Sequence, residues 1–191
     1  MVTELALAQV LLVGAGLLWA SFVNATQVDL GYATTDRVVA EASLVPDYVR
    51  TVDGDGRIDP AKKIRFIHSV LDTLREAPGV RGAAASFTAP LGGAPNRGIR
   101  IEGDPAPRAG DQPNADFQVV TADYFRTLGI TLISGRAFDP ADRAGAPRVV
   151  IVNRALADKY LAGGNPVGRV LLFGGSERHQ IVGVVADARY R

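Results

Sequence analysis

The stretch RVVIVNRALADKYL at 148–161, followed by RVLLF at 169–173 and IVGVVADA at 181–188, decides the fold class. Arg148 to Val152 reads as a continuous apolar strand. Asn153 stands where a helix N-cap is wanted, and Leu156, Tyr160 and Leu161 then return on one side at helical spacing. Residues 170–173 and 181–186 supply closing strands. A strand, a short helix and further strands in succession give an α+β class, a mixed sheet with strand-helix-strand units.

Working outward, residues 115–120 read as a strand leading into a short helix. Thr121 is its expected cap, Tyr124, Phe125 and Leu128 form its apolar side, and Gly129 stops it. Upstream, in RGIRIE at 97–102, Ile99 and Ile101 alternate with Arg100 and Glu102. A Gly/Pro loop at 89–96 precedes that strand, and a linker at 103–113 too rich in Pro and Gly to be regular follows it. A further strand is expected at 80–87. Residues 61–76 carry Ile64, Ile67, Val70, Leu71 and Leu74 at helical spacing, with Asp59 able to cap, Pro60 suited to the first turn and Pro78-Gly79 to end it. In RVVAEASL at 37–44, Val38, Ala40, Ala42 and Leu44 face away from Arg37, Glu41 and Ser43, which is strand periodicity.

The N-terminus differs in kind. Residues 5–23, LALAQVLLVGAGLLWASFV, carry no charge, and only Gln9, Gly14, Gly16 and Ser21 fall outside the apolar set. Such a run is long enough to cross a bilayer as a helix. Gly14 and Gly16 would weaken a soluble helix but allow close approach in lipid, and Trp19 lies towards one end, where an interfacial aromatic belongs. Residues 1–24 are therefore expected to be a transmembrane helix and 25–191 the domain it carries. A cleaved signal peptide is the competing reading, because Val23 and Ala25 offer a small-residue cleavage pattern. The basic leader region is missing, since Glu4 is the only charge before the segment and Arg37 is the first basic residue of the chain. Either reading sends the remainder across the membrane.

Composition narrows the function classes. The 191 residues hold 21 Lys and Arg against 20 Asp and Glu, a formal net charge of +1, so no global field exists to hold nucleic acid. Cysteine is absent, which removes a disulfide framework, a thiolate nucleophile and any cysteine-based metal site.

Four patterns invite a chemical reading. TVDGDGRIDPAK at 51–62 imitates a calcium loop through Asp53, Asp55, Gly56, Ile58 and Asp59, yet Thr51 stands where the first Asp belongs and Lys62 replaces the bidentate Glu. A solvated turn that caps the following helix is the simpler reading. The Gly-rich stretch from Pro90 to Gly98 lacks the phosphate-loop pattern and does not run from a strand into a helix. His68 and His179 are the only histidines, and neither has the spacing of a zinc site or a catalytic triad. Asp139 with Asp142, and Asp187 beside Arg189 and Arg191, could be drawn as acid/base groups, but their surroundings read as solvated ion pairs. No catalytic, cofactor-binding or metal-binding residue is assigned, and no cofactor is expected.

The runs VVTADYFRTLGITLISGRAFDPADR at 119–143, VVIVNRALADKYLAGGNPVGRVL at 149–171 and IVGVVADARYR at 181–191 closely resemble the periplasmic core domain of MacB-like ABC transporter permeases. ALAQVLLVGAGLLWASF at 6–22 resembles the first transmembrane helix of such a permease, and QVDLGYATTDRV, REAPGVRGAA, PLGG and IRIEG resemble the segments that follow it. The similarity is closest to the orphan permeases, which carry the FtsX-like membrane module without their own ATPase.

The resemblance implies a mechanical, non-catalytic part of a dimeric inner-membrane permease. A cytoplasmic ATPase on a separate chain would move the membrane helices and, through them, the periplasmic domains, which in efflux members engage a periplasmic adaptor. Other partners it implies are the membrane itself and the remaining permease segments. No Walker motif is present, and the family's later membrane helices do not follow, so a C-terminally incomplete core domain with an unpaired sheet edge is expected. The alternative is an independent anchored or secreted periplasmic domain that binds a ligand or protein on the loops at 89–113. A hydrolase would need a pocket uniting His179 with Asp139 or Asp187.

Overall fold

The computed structural model describes residues 2–26, 30–42, 60–89, 92–105, 108, 112–161 and 164–188. It divides into two compact units, Met1–Leu30 and Gly31–Arg191.

The first unit is built on α1 (Val2–Thr26), a helix of 25 residues. At about 1.5 Å of rise per residue it is longer than a bilayer core is thick. Within it, Ala6–Asn24 has a mean hydropathy of 2.0 and is long and apolar enough to cross a membrane. Leu11, Leu12, Leu18, Trp19 and Phe22 stand exposed around its circumference. An apolar circumference of that length is the composition a membrane-spanning helix requires.

The second unit opens with α2 (Pro60–Glu76), β1 (Asn96–Ile101) and β2 (Asn114–Asp116). It continues with α3 (Tyr124–Leu128), β3 (Leu132–Gly135), β4 (Val149–Asn153), α4 (Arg154–Tyr160), β5 (Val170–Phe173) and β6 (Glu177–Val185). The six strands form one mixed sheet in which β2, β1, β5 and β6 follow one another as antiparallel neighbours. β6 is the hub. Its first half pairs with β5 from Glu177 to Gln180, while its second half pairs in parallel with β4 and antiparallel with β3.

Burial follows the apolar pattern. Ile99, Val152, Ala157, Leu161, Leu171, Phe173, Ile181 and Val184 form the main core, and Tyr124, Leu128, Ile130 and Val185 form a second cluster under α3. The parallel pair β4/β6 is bridged by α4, whose Ala157, followed by Leu161, closes over the sheet. β1 shows the expected alternation, with Ile99 buried and Arg100 half-exposed.

The strand expected at 115–120 forms only as Asn114–Asp116, with Val120 in a single bridge. Three further expectations need correction. Residues 37–42 form no strand, and Val38 is 95% exposed, because no described strand offers them a hydrogen-bonding partner; Ser43 and Leu44 lie outside the described residues. The strand expected at 80–87 reduces to one bridge between Ser86 and Val120, flanked by Phe87 N–H donating to Val119 O at 2.9 Å and Thr121 N–H donating to Ala85 O at 3.0 Å. The Gly and Ala residues of that stretch have little strand propensity and little side chain to pack. The third is the cap of α3. Thr121 Oγ1 accepts from Ala85 N–H at 3.0 Å, and the helix begins instead after Asp123, which makes no side-chain cap. Gly129 does stop α3, at φ 72°.

Candidate functional site

Asp139, Asp142 and Asp187, singled out from the sequence, are engaged in two structural networks, and Asp123 anchors another. The first sits in the loop after β3. Arg136 donates from Nη1 to Asp142 Oδ2 at 2.7 Å and from Nη2 to Asp142 Oδ1 at 2.8 Å, a bidentate pair. Asp142 Oδ2 also accepts from Asp139 N–H at 2.9 Å, and Asp139 Oδ1 accepts from Ala141 N–H at 2.6 Å. The Asp142 side chain is only 9% exposed. Its hydrogen bond with Arg136 holds its carboxyl below the ordinary value of 3.8, outweighing the opposing effect of burial. An anion committed to a guanidinium in this way is a brace for the loop, and a poor proton acceptor.

The second network joins α2 to α3. Asp123 accepts from Arg126 Nη2 at 2.7 Å and from Arg75 Nη2 at 3.0 Å, while Arg75 also donates to Asp72. The hydrogen bond from Arg126 is the main cause of the lowered Asp123 pKa. Because both Asp123 and Asp142 are depressed on folding, their contribution is complete above the unfolded carboxylate value and is lost as pH falls through the lower folded-state values. Acid titration of the wild-type protein should therefore show stability falling below about pH 4, with a shallower slope in Asp142→Asn. At neutral pH, Asp142→Ala should cost about 1–2 kcal/mol in urea denaturation, since it removes the bidentate pair and leaves the Asp139 N–H without its acceptor, while Arg136 keeps Asp139 and the Ala137 carbonyl as partners.

The third network caps α4. Asn153 Oδ1 accepts from Leu156 N–H at 3.2 Å, and Asn153 Nδ2 donates to Asp187 Oδ1 at 2.7 Å. The same Asp187 oxygen accepts from Ala155 N–H at 2.8 Å. Asp187 thus adds negative charge and a second acceptor to the helix N-terminus. Sequence reading found the Asn153 cap but missed Asp187 as its partner, because 34 residues separate them. Asp187→Ala should lower stability by about 1 kcal/mol, seen as an earlier urea midpoint with unchanged slope.

The histidines stand apart from these acids. His179 packs edge-on against Phe173, with ring centroids 4.8 Å apart, and its Nδ1 lies 3.2 Å from Glu177 O. His68 is on the exposed side of α2. The structure does not bring His179 into hydrogen-bonding contact with Asp139 or Asp187, each of which has its own partners. Among the described residues no three His, Asp or Glu side chains converge as a metal site would require.

Of the calcium-loop imitation, residues 51–59 lie outside the described residues, while Lys62 sits in the first turn of α2. Its ammonium stands where a calcium loop needs a bidentate carboxylate. In the Gly/Pro stretch, Gly98 belongs to β1, where an added Cβ would lie 2.7 Å from Gln112 Nε2. An open depression on the loop from Pro140 to Ala146 carries Arg143 as its one charged lining residue. Arg189 and Arg191 lie outside the described residues.

Residues 9–190 match the family described as the MacB-like periplasmic core domain. The chain belongs to that family. No curated protein matches the chain at a significant level. Among solved structures, the periplasmic region of MacB from Actinobacillus actinomycetemcomitans is similar at 18% identity and a TM-score of 0.47, over 64% of this chain and 54% of that one. The extracellular domain of the noncanonic ABC-type transporter YknZ from Gram-positive bacteria is similar at 18% identity and a TM-score of 0.47, over 64% of this chain and 58% of that one. This MacB-like chain therefore spans little more than half the length of those structures.

Proposed function

We propose that the chain is the non-catalytic, membrane-anchored periplasmic part of an ABC transporter permease, passing conformational change between the membrane and partner proteins in export or efflux. Residues 1–24 are the span and 25–191 the MacB-like core domain, held on the periplasmic side of the inner membrane. A cytoplasmic ATPase on a separate chain supplies energy, and a second copy, the remaining permease segments and a periplasmic adaptor complete the assembly. The observation that carries this reading is the union, in one MacB-like chain, of an apolar helix long enough to span a bilayer with a domain whose conspicuous carboxylates are spent on structural hydrogen bonds. Energy would then enter as motion of the helix, since an acid braced by arginine or by helix N–H groups is poorly placed for proton transfer.

Protease accessibility of a C-terminally tagged chain tests it. Protection in intact cells, digestion in spheroplasts and retention through a carbonate wash are expected for an anchored periplasmic domain. Release of a shortened chain by the wash would mean signal cleavage, and would replace this reading with that of an independent secreted binding domain.

A further inference from the structure

The two faces of the sheet differ in character. α4 packs against the face that carries Ile99, Leu171 and Phe173. Arg100, Leu172 and Arg178 alternate along their strands with core-facing residues and so stand on the other face. The pairing of Arg100 with Leu172, and of Leu172 with Arg178, sets the three in one row across β1, β5 and β6.

The arginines on this side of the sheet are not equally matched. Arg178 Nη2 donates to Glu102 Oε2 at 2.8 Å, and its Nη1 pairs with Oε1 of the same carboxylate. Arg169 is matched with Asp104 at 3.3 Å. Arg100 has neither a carboxylate nor a hydrogen-bond acceptor among the described residues, and its Nε is enclosed without a partner although the residue as a whole is half-exposed. An enclosed donor with no acceptor is a standing cost to the fold. Across the pair its neighbour is Leu172, so the position would suit an apolar side chain of similar length.

Further polar groups lie beside it. Gly98, two residues earlier in β1 and on the same face as Arg100, has the side chain of Gln112 over its backbone: a Cβ there would lie 2.7 Å from Gln112 Nε2 and 3.6 Å from Asn114 Oδ1. Both of these amide side chains belong to exposed residues. Arg100 therefore stands between neutral amides on one side and the Arg178–Glu102 pair on the other.

We propose that this face is a docking surface for an acidic segment of a partner protein, with one carboxylate seated on the Arg100 guanidinium and the Gln112 and Asn114 amides binding the chain beside it. Charge complementarity selects that occupant. The unmatched charge is a single cation, which one carboxylate neutralises. Glu102, two residues along the same face, would repel a phosphate, which carries nearly two negative charges at neutral pH. The surface is also the face of a sheet, with half-buried Val170 and Leu172 beside the charge, and such a surface suits a protein segment better than a small anion, which needs enclosure. The inference stands on the folded domain alone and holds for an anchored or a secreted chain.

The test is fluorescence anisotropy with the full chain in phosphatidylcholine nanodiscs, using a short labelled peptide of alternating Glu and Val as probe and its Gln-for-Glu counterpart as control. Saturable binding of the Glu peptide alone is expected. It should weaken at least about tenfold in Arg100→Met and stay unchanged in Arg65→Gln, which removes an exposed arginine of α2. The urea midpoint of Arg100→Met should equal or exceed that of wild type, because a cation kept for a partner does not stabilise the unbound fold. A lower midpoint would overturn the proposal by making Arg100 a structural residue. Equal binding of the two peptides, or equal weakening in Arg65→Gln and Arg100→Met, would overturn it by showing contact without a site. So would displacement of the Glu peptide by an equimolar amount of inorganic phosphate, or the absence of saturable binding. The carbonate wash bears on neither arm, so failure here leaves the membrane reading as it was.

Discussion

Ile181→Ala should destabilise the second unit by about 3–4 kcal/mol, within the range measured for large-to-small changes at fully enclosed core sites. Ile181 is 0% exposed and lies in β6 among Val152, Leu171 and Val184. Its backbone is held on both counts: the N–H donates to Arg169 O at 2.8 Å and the C=O accepts from Gly168 N–H at 2.8 Å. The strand therefore has little freedom to move inward, and the cavity left by the side chain should persist. Against a typical domain stability of about 5–15 kcal/mol, the loss is large. Ile181→Val, which removes one methylene, should cost about 1 kcal/mol. Trp19, the only tryptophan, lies in α1, so its fluorescence does not report on the core. Pulse proteolysis across a urea series does. A loss below about 1 kcal/mol for Ile181→Ala would mean the core collapses around the gap and that β6 is less constrained than its hydrogen bonds indicate.

The elements that could be read from the sequence are those in which local chemistry and tertiary packing agree. β4, the Asn153 cap and α4 are specified within 12 residues, by an apolar run, a capping side chain and a helical stripe, and all three form. α2 begins at Pro60 as a proline in the first turn requires. Residues 37–42 have a period of two and no strand, because alternation states which face an extended chain would bury and says nothing of whether another strand lies alongside. β6 was legible only in its apolar second half. Its first four residues, Glu177 to Gln180, are polar or charged and are extended because β5 pairs with them through a tight turn at Gly174 and Gly175. Tertiary pairing overrides local propensity there.

The contacts between side chains and backbone divide in the same way. Asp139 and Asp142 lie three residues apart and could be recognised as a cluster, but their relation to Arg136 depends on how the loop folds back. The contact of Gly31 with Asp187 spans almost the whole second unit in sequence, and no periodicity or spacing signals it. What a single sequence does contain is the glycine itself, since a glycine placed between the apolar helix and the domain marks a position where backbone may need an uncommon conformation. The family membership was visible for another reason: it rests on ordered blocks over residues 9–190, which survive errors in any one element.

Gly135→Ala should cost about 3 kcal/mol or more, which for a domain of this size lowers the melting temperature by roughly 10 °C. Two effects add. Gly135 closes β3 at φ +76°, where an L-residue costs about 1–2 kcal/mol. A Cβ there would also collide with the carbonyl oxygen of Val182 and come within 2.8 Å of Gly183 Cα and 3.0 Å of Val167 Cγ2. The first of these is backbone of the hub strand and cannot swing aside as a flexible side chain could. The partner position separates the two effects, because Gly135 is paired with Gly183, which is not in the left-handed region. A Cβ at Gly183 would press on the carbonyl oxygen of Arg136 and lie 3.2 Å from Leu132 Cδ1. Gly183→Ala therefore isolates the steric effect, and Gly135→Asn, a residue that tolerates left-handed backbone, retains the collision while relieving the conformational cost. If collision dominates, Gly135→Asn and Gly183→Ala are both severe; if the dihedral angle dominates, both are mild and only Gly135→Ala unfolds early. Differential scanning calorimetry of the three variants distinguishes these patterns, and the contacts favour the first, since the β3 to β6 pairing depends on two backbones meeting without any side chain between them.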